Sequence, residues 1–286
     1  YIFSSSNICP SSFASYSKTF DIKGRNIVLT GSSGTLGSQY SNYLSSAGAN
    51  MILVDLDNSK NKKLEQEIKT KYSTNVHAYE IDLSNSDQVK TVCKEIISDY
   101  KHIDGLINNA GFTSKFAKEK KTSTYTSSFE DFPLEIWNKT LDVNLTGAFL
   151  CSQIFGREMI KRKKGIIVNI ASHYALVGAD QRIYGQSGLN LPVSYAASKG
   201  AIVNFTRYLA AYLSGKNVRV NTLTPGGVFD KKYHSKNFVK KYSDKTMLNR
   251  MATINEYNAA ILFLISDASS YMTGSNLVID GGWTAW

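Results

Sequence analysis

Seven short apolar runs, at residues 27–30, 51–55, 76–81, 105–108, 166–170, 218–223 and 277–279, are separated by longer stretches with helical periodicity. The first, second and fifth are almost continuously hydrophobic, the pattern of strands buried on both faces of a parallel sheet. Between them helices are predicted over 64–72, 86–100, 134–161, 193–213 and 254–265. Parallel strands need crossover connections, and the alternation of strand with helix supplies them. The predicted fold is an α/β doubly wound parallel sheet of about seven strands with helices on both faces, in a single domain.

No linker-like stretch divides the chain after residue 20, so 21–286 reads as one domain. Residues 1–20 are Ser-rich, carry no acidic residue and are expected to form a disordered extension. The longest strongly apolar run, 259–265, is too short to cross a bilayer, which points to a soluble protein. Cys9, Cys93 and Cys151 are far apart and show no CxxC or Cys/His spacing, so neither a disulfide framework nor a metal site is expected, and a reducing, cytoplasmic compartment fits. The net charge of +10 comes from scattered lysines without a groove-reading module, which argues against nucleic acid as a partner. Two lysine clusters, Lys115, Lys118, Lys120 and Lys121, then Lys231, Lys232, Lys236, Lys240 and Lys241, keep anionic small molecules in view.

The first predicted strand runs into Thr30-Gly31-Ser32-Ser33-Gly34-Thr35-Leu36-Gly37 and then into a helix. Glycines there serve a tight turn, close approach of backbone to a pyrophosphate and tight packing of helix on strand. The helix N-terminus faces the negative charge. This is a Rossmann-type dinucleotide loop, with Gly31, Ser33, Gly34, Leu36 and Gly37 as its contacts. Asp55, 24 positions after Gly31, ends the second strand where a carboxylate accepts from the adenosine ribose hydroxyls and repels a 2′-phosphate. No Arg or Lys follows immediately, so NAD is expected in preference to NADP.

Tyr195 and Lys199 lie four apart in Tyr195-Ala196-Ala197-Ser198-Lys199, one above the other on a helix face. An ammonium beside a phenol favours phenolate and lowers its pKa, which suits a tyrosine to proton transfer.

With these motifs in hand, the chain from residue 21 to 286 resembles the short-chain dehydrogenase/reductase family. The resemblance is carried by the Gly-rich loop, Asp82-Leu83, Asn108-Asn109-Ala110-Gly111, Asn144 in LDVNLTG, Ser172 in IIVNIAS, Tyr195 and Lys199 in YAASKGA, Pro225-Gly226 and Asp280-Gly281-Gly282. It implies a catalytic tetrad of Asn144, Ser172, Tyr195 and Lys199. Tyr195 would be the general acid/base, Ser172 would donate to the substrate oxygen, Lys199 would tune Tyr195 and hold the nicotinamide ribose, and Asn144 would hold a relay water. It also implies cofactor contacts from Asp82 and Leu83 at the adenine edge and from Asn109, Ala110 and Gly111 on the cofactor-facing turn. Pro225 and Gly226 join these, and Val228 would lie near the carboxamide. Members of the family commonly form dimers or tetramers through the helix bearing the Tyr-Lys pair, so a homodimer or homotetramer is expected.

The chain departs from the family pattern in ways that bear on substrate. Its glycines at 31, 34 and 37 follow GxxGxxG, a spacing more usual in the extended, sugar-nucleotide-handling branch. Ser172 and Tyr195 are 23 positions apart, roughly ten more than is usual, and residues 173–192 form a polar insertion with Asp180, Gln181, Arg182, Tyr184, Gln186 and Asn190. Residues 112–132 form a second one, and Asp230 replaces an expected threonine. Loops after strand C-termini line the ligand crevice in such sheets. The expected substrate is therefore hydroxyl-rich, a sugar or sugar phosphate, with Arg182 and Tyr184 as contacts and His173 as a wall of the site. The pattern is similar to oxidoreductases of bacterial surface-polysaccharide and flagellin-glycan synthesis, including routes to nonulosonic acids. Two alternatives stand beside this NAD(H)-dependent oxidoreductase: a 3-oxoacyl-carrier-protein reductase, and a non-catalytic NAD-binding sensor or scaffold.

Overall fold

A computed structural model describes residues 18–114, 128–185 and 190–286. Strands β1 (Asn26–Thr30), β2 (Asn50–Asp55), β3 (Val76–Glu80), β4 (Gly105–Asn108), β5 (Gly165–Ile170), β6 (Val218–Pro225) and β7 (Asn276–Ile279) form one sheet in the order β3-β2-β1-β4-β5-β6-β7, every neighbouring pair parallel. The strand order reverses between β1 and β4, and a doubly wound sheet opens its ligand crevice at that point.

Alternate residues of each buried strand feed opposite faces. Ile27 and Leu29 of β1 join Tyr40 and Leu44 of α1 (Thr35–Ser46), Leu64 and Ile68 of α2 (Asn58–Lys71) and Ile261 and Leu264 near the C-terminus. Val28 faces the other way, onto Val89, Cys93 and Ile96 of α3 (Ser86–Tyr100) and further helices described next. These two apolar layers explain why the strands read as unbroken hydrophobic runs.

The predicted helix over 134–161 is two helices, α4 (Leu134–Leu141) and α5 (Gly147–Arg162), joined by a wider π turn at Asp142–Thr146. Leu150, Cys151, Phe155 and Met159 of α5 pack on the second layer. The helix predicted over 193–213 is α6 (Val193–Tyr212). A short helix that the sequence pattern missed, α7 (Lys236–Ser243), follows β6 and is capped by Ser235, which accepts from Phe238 N. The predicted helix over 254–265 begins as a 3-10 turn, Ile254–Tyr257, and continues as α8 (Asn258–Ile265). Helix α2 starts six residues before its expected position because Asp57 caps it, accepting from Lys60 N, while its first turns are too polar to register as periodic.

A buried polar row fixes α6 on the sheet. Asn108 donates to Asn169 at 2.8 Å, Asn169 donates to Thr206 of α6 at 2.9 Å, and Thr222 of β6 donates to the same Thr206 at 2.8 Å. The Asn108 amide nitrogen, the Asn169 side chain and the two threonine hydroxyls are paired along the row, which sets the position of α6, while Asn108 Oδ1 is buried without a partner among the described residues. Among the described residues no helix is long and apolar enough to cross a membrane.

Candidate active site

The Gly-rich loop leaves β1 at the crevice. Gly31 has φ +65°, and a Cβ there would lie 2.7 Å from Ala110 Cα, so both the turn and the approach of the neighbouring loop require glycine. At Gly37 a Cβ would lie 2.0 Å from the Gly31 carbonyl oxygen, which is how closely α1 packs on the loop. Gly34, the N-cap residue of α1, has no side chain to occupy the end of the helix, and the first turn carries no acidic residue. Ser33 and Leu36 are partly exposed along this edge. An uncapped helix N-terminus behind a glycine turn is a cradle for a pyrophosphate, so these residues fit a bound dinucleotide.

Asp55 is half-buried at the end of β2. Its carboxylate accepts from Ser33 N at 2.8 Å and from Asp57 N at 3.0 Å. The same group therefore shapes the loop and, through its remaining lone pairs, faces the place where an adenosine ribose would lie. Asp82 accepts from Ser84 N and its own backbone N–H donates to Gln88, while Leu83 is buried against Gly147. Asn109 donates to the carbonyls of Thr30 and Gly31, and Asn109 N and Ala110 N both donate to Thr30 Oγ1. This pins the turn to β1, so the Asn109 side chain braces the crevice, and Gly111 is the position left open beside Lys199 and Asn144. Gly226 N donates to the Ile279 carbonyl, and Val228 forms a parallel bridge with Ala252, which holds the loop after Pro225 against the C-terminal segment.

Asn144, Ser172, Tyr195 and Lys199 converge at the C-terminal ends of β4 and β5. The wider π turn places Asn144, 2 % exposed, where its carboxamide accepts from Phe112 N at 2.6 Å and donates to Phe112 O and to Ser198 Oγ. Its side chain thus ties α6 to the loop after β4, and π turns of this kind recur at functional sites. Ser172, buried, caps the next turn by accepting from Tyr174 N, and its hydroxyl pairs with that of Tyr195. Lys199, 4 % exposed, donates to the Ile170 carbonyl at 2.7 Å and lies 5.8 Å from the centre of the Tyr195 ring.

Burial lowers Lys199 from its ordinary value to about 8. Tyr195 lies above its ordinary value because burial outweighs the hydrogen bond from Ser172. The lowering expected from Lys199 does not set the direction here: burial raises the phenol, and the group that opposes it is Ser172. The tyrosine is therefore held in its neutral form.

The insertion between Ser172 and Tyr195 forms two 3-10 turns, His173–Ala175 and Gln181–Tyr184. Tyr184 is buried, shares a hydrogen bond with Tyr174 and packs on Phe238 of α7 with ring centres 5.3 Å apart. His173 is buried too, beside Tyr174, Tyr242 and Trp283. Arg182, expected to hold substrate, is 85 % exposed and spends its guanidinium on Asp180, with Nε and Nη2 donating to the two carboxylate oxygens at 2.8 and 2.9 Å. Lys245 reaches the same carboxylate at 2.6 Å, and Lys241 donates to the Arg182 carbonyl. Arg182 is therefore part of a clasp between the insertion and α7, because a neighbouring carboxylate satisfies it first.

Sequence reasoning missed Tyr174, Tyr242 and Trp283, the aromatic wall of the site. Trp283 stands directly after Asp280-Gly281-Gly282 and could have been suspected from that position. Tyr242, which accepts from Gly227 N at 2.6 Å, lies on the unpredicted α7 and carried no signal. Residues 1–17, 115–127 and 186–189 lie outside the described residues. With them go most of the N-terminal extension, Cys9, the first lysine cluster, much of the 112–132 insertion, and Gln186.

A family model described as enoyl-(acyl carrier protein) reductase matches residues 31–284. The chain is 33 % identical over 275 residues to an NAD-dependent glycerol dehydrogenase of Listeria innocua, with 95 % of this chain and 98 % of that protein covered. It is 32 % identical over 263 residues to a 3-oxoacyl-(acyl-carrier-protein) reductase of Aquifex aeolicus, with 91 % and 98 % covered. A solved structure of a short chain dehydrogenase from Leptospira borgpetersenii with bound NAD+ is similar over 93 % of this chain and 95 % of that one, at 32 % identity and a TM-score of 0.77.

Proposed function

The chain belongs to the short-chain dehydrogenase/reductase family, and from that premise we propose that it is an NAD(H)-dependent oxidoreductase that interconverts an alcohol and a ketone on a polyol or sugar-type substrate. The observation that carries this reading is the convergence of Ser172, Tyr195 and Lys199 beside the open Gly111, with Asn144 bracing the group. A nicotinamide dinucleotide, when bound, supplies the hydride acceptor or donor.

The residues of the chain supply binding and the proton. Gly31, Ser33, Gly34, Leu36 and Gly37 would hold the pyrophosphate segment, Asp55 the adenosine ribose, and Lys199 the nicotinamide ribose. In ketone reduction Tyr195 gives its hydroxyl proton to the carbonyl oxygen, while Ser172 donates a hydrogen bond that steadies charge developing there. In alcohol oxidation the same hydroxyl takes the proton back. Lys199, which burial lowers to about 8, is suited to return a proton toward Tyr195.

Asp55 supports NAD over NADP, since a carboxylate repels a 2′-phosphate. The buried tyrosines of the insertion and His173 support a hydroxyl-bearing substrate, and similarity to a glycerol dehydrogenase agrees with it. A role in surface-glycan synthesis rests on the sequence motifs alone. The second reading, 3-oxoacyl-carrier-protein reduction, is favoured by similarity to the Aquifex enzyme and by the basic residues of α7. A homo-oligomer built on the outer faces of α5 and α6 completes the proposal, because Phe149, Tyr208 and Tyr212 are exposed there. The deciding experiment is a screen of polyols, sugar phosphates and a 3-oxoacyl thioester with NAD(H) and NADP(H). Turnover of the thioester alone would replace the polyol reading with the second one.

A further inference from the structure

Ser198 is fully buried on α6, three residues after Tyr195 and one before Lys199. Its hydroxyl donates to the Tyr195 carbonyl at 2.8 Å and accepts from Asn144 Nδ2 at 3.0 Å, across 54 positions of sequence. A serine hydroxyl that bonds back to its own helix is ordinary. This one has spent its single proton there, and so it meets Asn144 as an acceptor. The pair therefore joins the turn that carries Tyr195 to the π turn that carries Asn144.

The Asn144 carboxamide is used almost completely. Its Oδ1 accepts from Phe112 N at 2.6 Å, and its Nδ2 donates to Phe112 O at 3.1 Å as well as to Ser198. Both amide hydrogens are thus committed, and Oδ1 keeps one lone pair. That oxygen and Lys199 Nζ approach the same point, the place a Cβ would take on Gly111, at 3.9 and 3.6 Å. Without the Ser198 oxygen one amide hydrogen is buried with no acceptor, a costly state that the side chain leaves by shifting. A shift there moves Oδ1 relative to Lys199 and frees α6 from the π turn.

We propose that Ser198 is a positioning residue for the proton transfer: its hydroxyl clamps the Asn144 amide to the start of α6 and so fixes where Tyr195 and Lys199 stand relative to Ser172 and Asn144 Oδ1. Its two bonds go to a backbone carbonyl and to an amide, so it acts through Asn144 and not on the substrate. The inference rests on the oxidoreductase reading above and deepens it. It holds for a polyol and for a 3-oxoacyl thioester alike, since either exchanges its proton with the same tyrosine hydroxyl.

The test uses the full-length enzyme with glycerol or D-threitol and NAD, and with acetoacetyl-CoA and NADH or NADPH. On whichever of these is turned over, Ser198→Ala is expected to lower kcat about 10- to 100-fold, the effect of a small misplacement of reacting groups, with KM and NADH affinity within about threefold. Asn144→Ala is expected to lower kcat by a similar factor. Adding Ser198→Ala to it is expected to cost less than about twofold more, because groups that act as one unit are not additive. Ser194→Ala removes an equally buried hydroxyl of α6, one that donates to Thr140 on α4 at 3.0 Å, and is expected to keep kcat within about threefold. A merely loosened helix would act alike at Ser194 and Ser198. Native kcat in Ser198→Ala, an equal fall in Ser194→Ala, or losses that multiply in the double variant overturn the inference while the oxidoreductase reading stands. The Ser198 and Ser194 variants decide the matter by themselves should Asn144→Ala not fold. No turnover of any of the three substrates by a native enzyme that binds NADH overturns the oxidoreductase reading, and this inference with it.

Discussion

The ammonium of Lys199 donates to the carbonyl of Ile170 at 2.7 Å, so that a residue of α6 is tied to the last residue of β5, two positions before Ser172. This one contact sets the depth at which Tyr195, a turn earlier on α6, meets Ser172. It also places a cation in a dry environment, which lowers Lys199 from 10.5 to about 8. At neutral pH the fold carries that desolvation cost for the sake of the site.

Lys199→Met is therefore expected to abolish turnover and to stabilise the fold at pH 7 by roughly 1–3 kcal/mol, the order implied by such a shift. Below about 8 both folded and unfolded chains hold the proton and the cost is fully present. Between about 8 and 10.5 the folded chain has released the proton first, so native stability rises with pH and the advantage of the variant shrinks. Denaturant melts of both proteins at pH 7 and pH 10 check this. A variant no more stable at pH 7, or an advantage that grows with pH, would count against it.

Tyr195→Phe removes the hydroxyl through which α6 pairs with Ser172. Its kcat is expected to fall about 10²–10⁴-fold, the range for loss of a general acid/base. Fluorescence titration should find NADH affinity within about threefold of the native value. Native-like turnover would remove Tyr195 from the chemistry and favour a binding module.

Asp55 links cofactor choice to the shape of the loop through Ser33 N. Asp55→Asn loses the negative charge and keeps an acceptor. NADH affinity is expected to drop about tenfold and NADPH affinity to improve, the direction set by relief of charge repulsion. Equal affinities for the two cofactors in the native protein would defeat the assignment.

Asp180 ties the insertion to Lys245, just past the end of α7, and Arg182 and Lys245 hold its carboxylate well below the usual carboxylate range. Asp180→Ala frees both cations and is expected to raise KM for the substrate several-fold with cofactor affinity unchanged. Arg182→Ala, at an 85 % exposed position, is expected to change KM less than about twofold, in keeping with the small effect of exposed pairs. Steady-state kinetics on the two variants decide, and a larger effect at Arg182 would restore it as a substrate contact.

Tyr208 and Tyr212 stack on the outer face of α6 with ring centres 6.5 Å apart, and Phe149 of α5 meets Phe205 edge-on. Exposed apolar patches of this kind mark contact surfaces. Tyr208→Lys is expected to shift the protein toward smaller species in light scattering after size exclusion. A monomeric native protein would refute the oligomer.

The parallel sheet was legible because its strands are buried on both faces and so appear as continuous apolar runs. The dinucleotide loop was legible because Gly31 and Gly37 sit where no other residue fits, and Tyr195 and Lys199 because helical spacing stacks them. The pairing of Arg182 with Asp180, two residues away, was not legible because sequence cannot say which neighbour satisfies a charge first. The π turn at Asp142–Thr146 left no mark on the periodicity, yet it directs Asn144 to Phe112.

Local patterns by themselves determined the strands, their order and most of the helices, and they marked the groups proposed to carry the reaction, because burial periodicity and glycine geometry act over a few residues. Tertiary structure decided what those groups face. The burial that raises Tyr195 and lowers Lys199, and the aromatic wall of Tyr174, Tyr242 and Trp283 that encloses His173, all arise from segments distant in sequence. Desolvation and hydrogen-bond satisfaction depend on every neighbour in space, and that sum exists only in the folded chain.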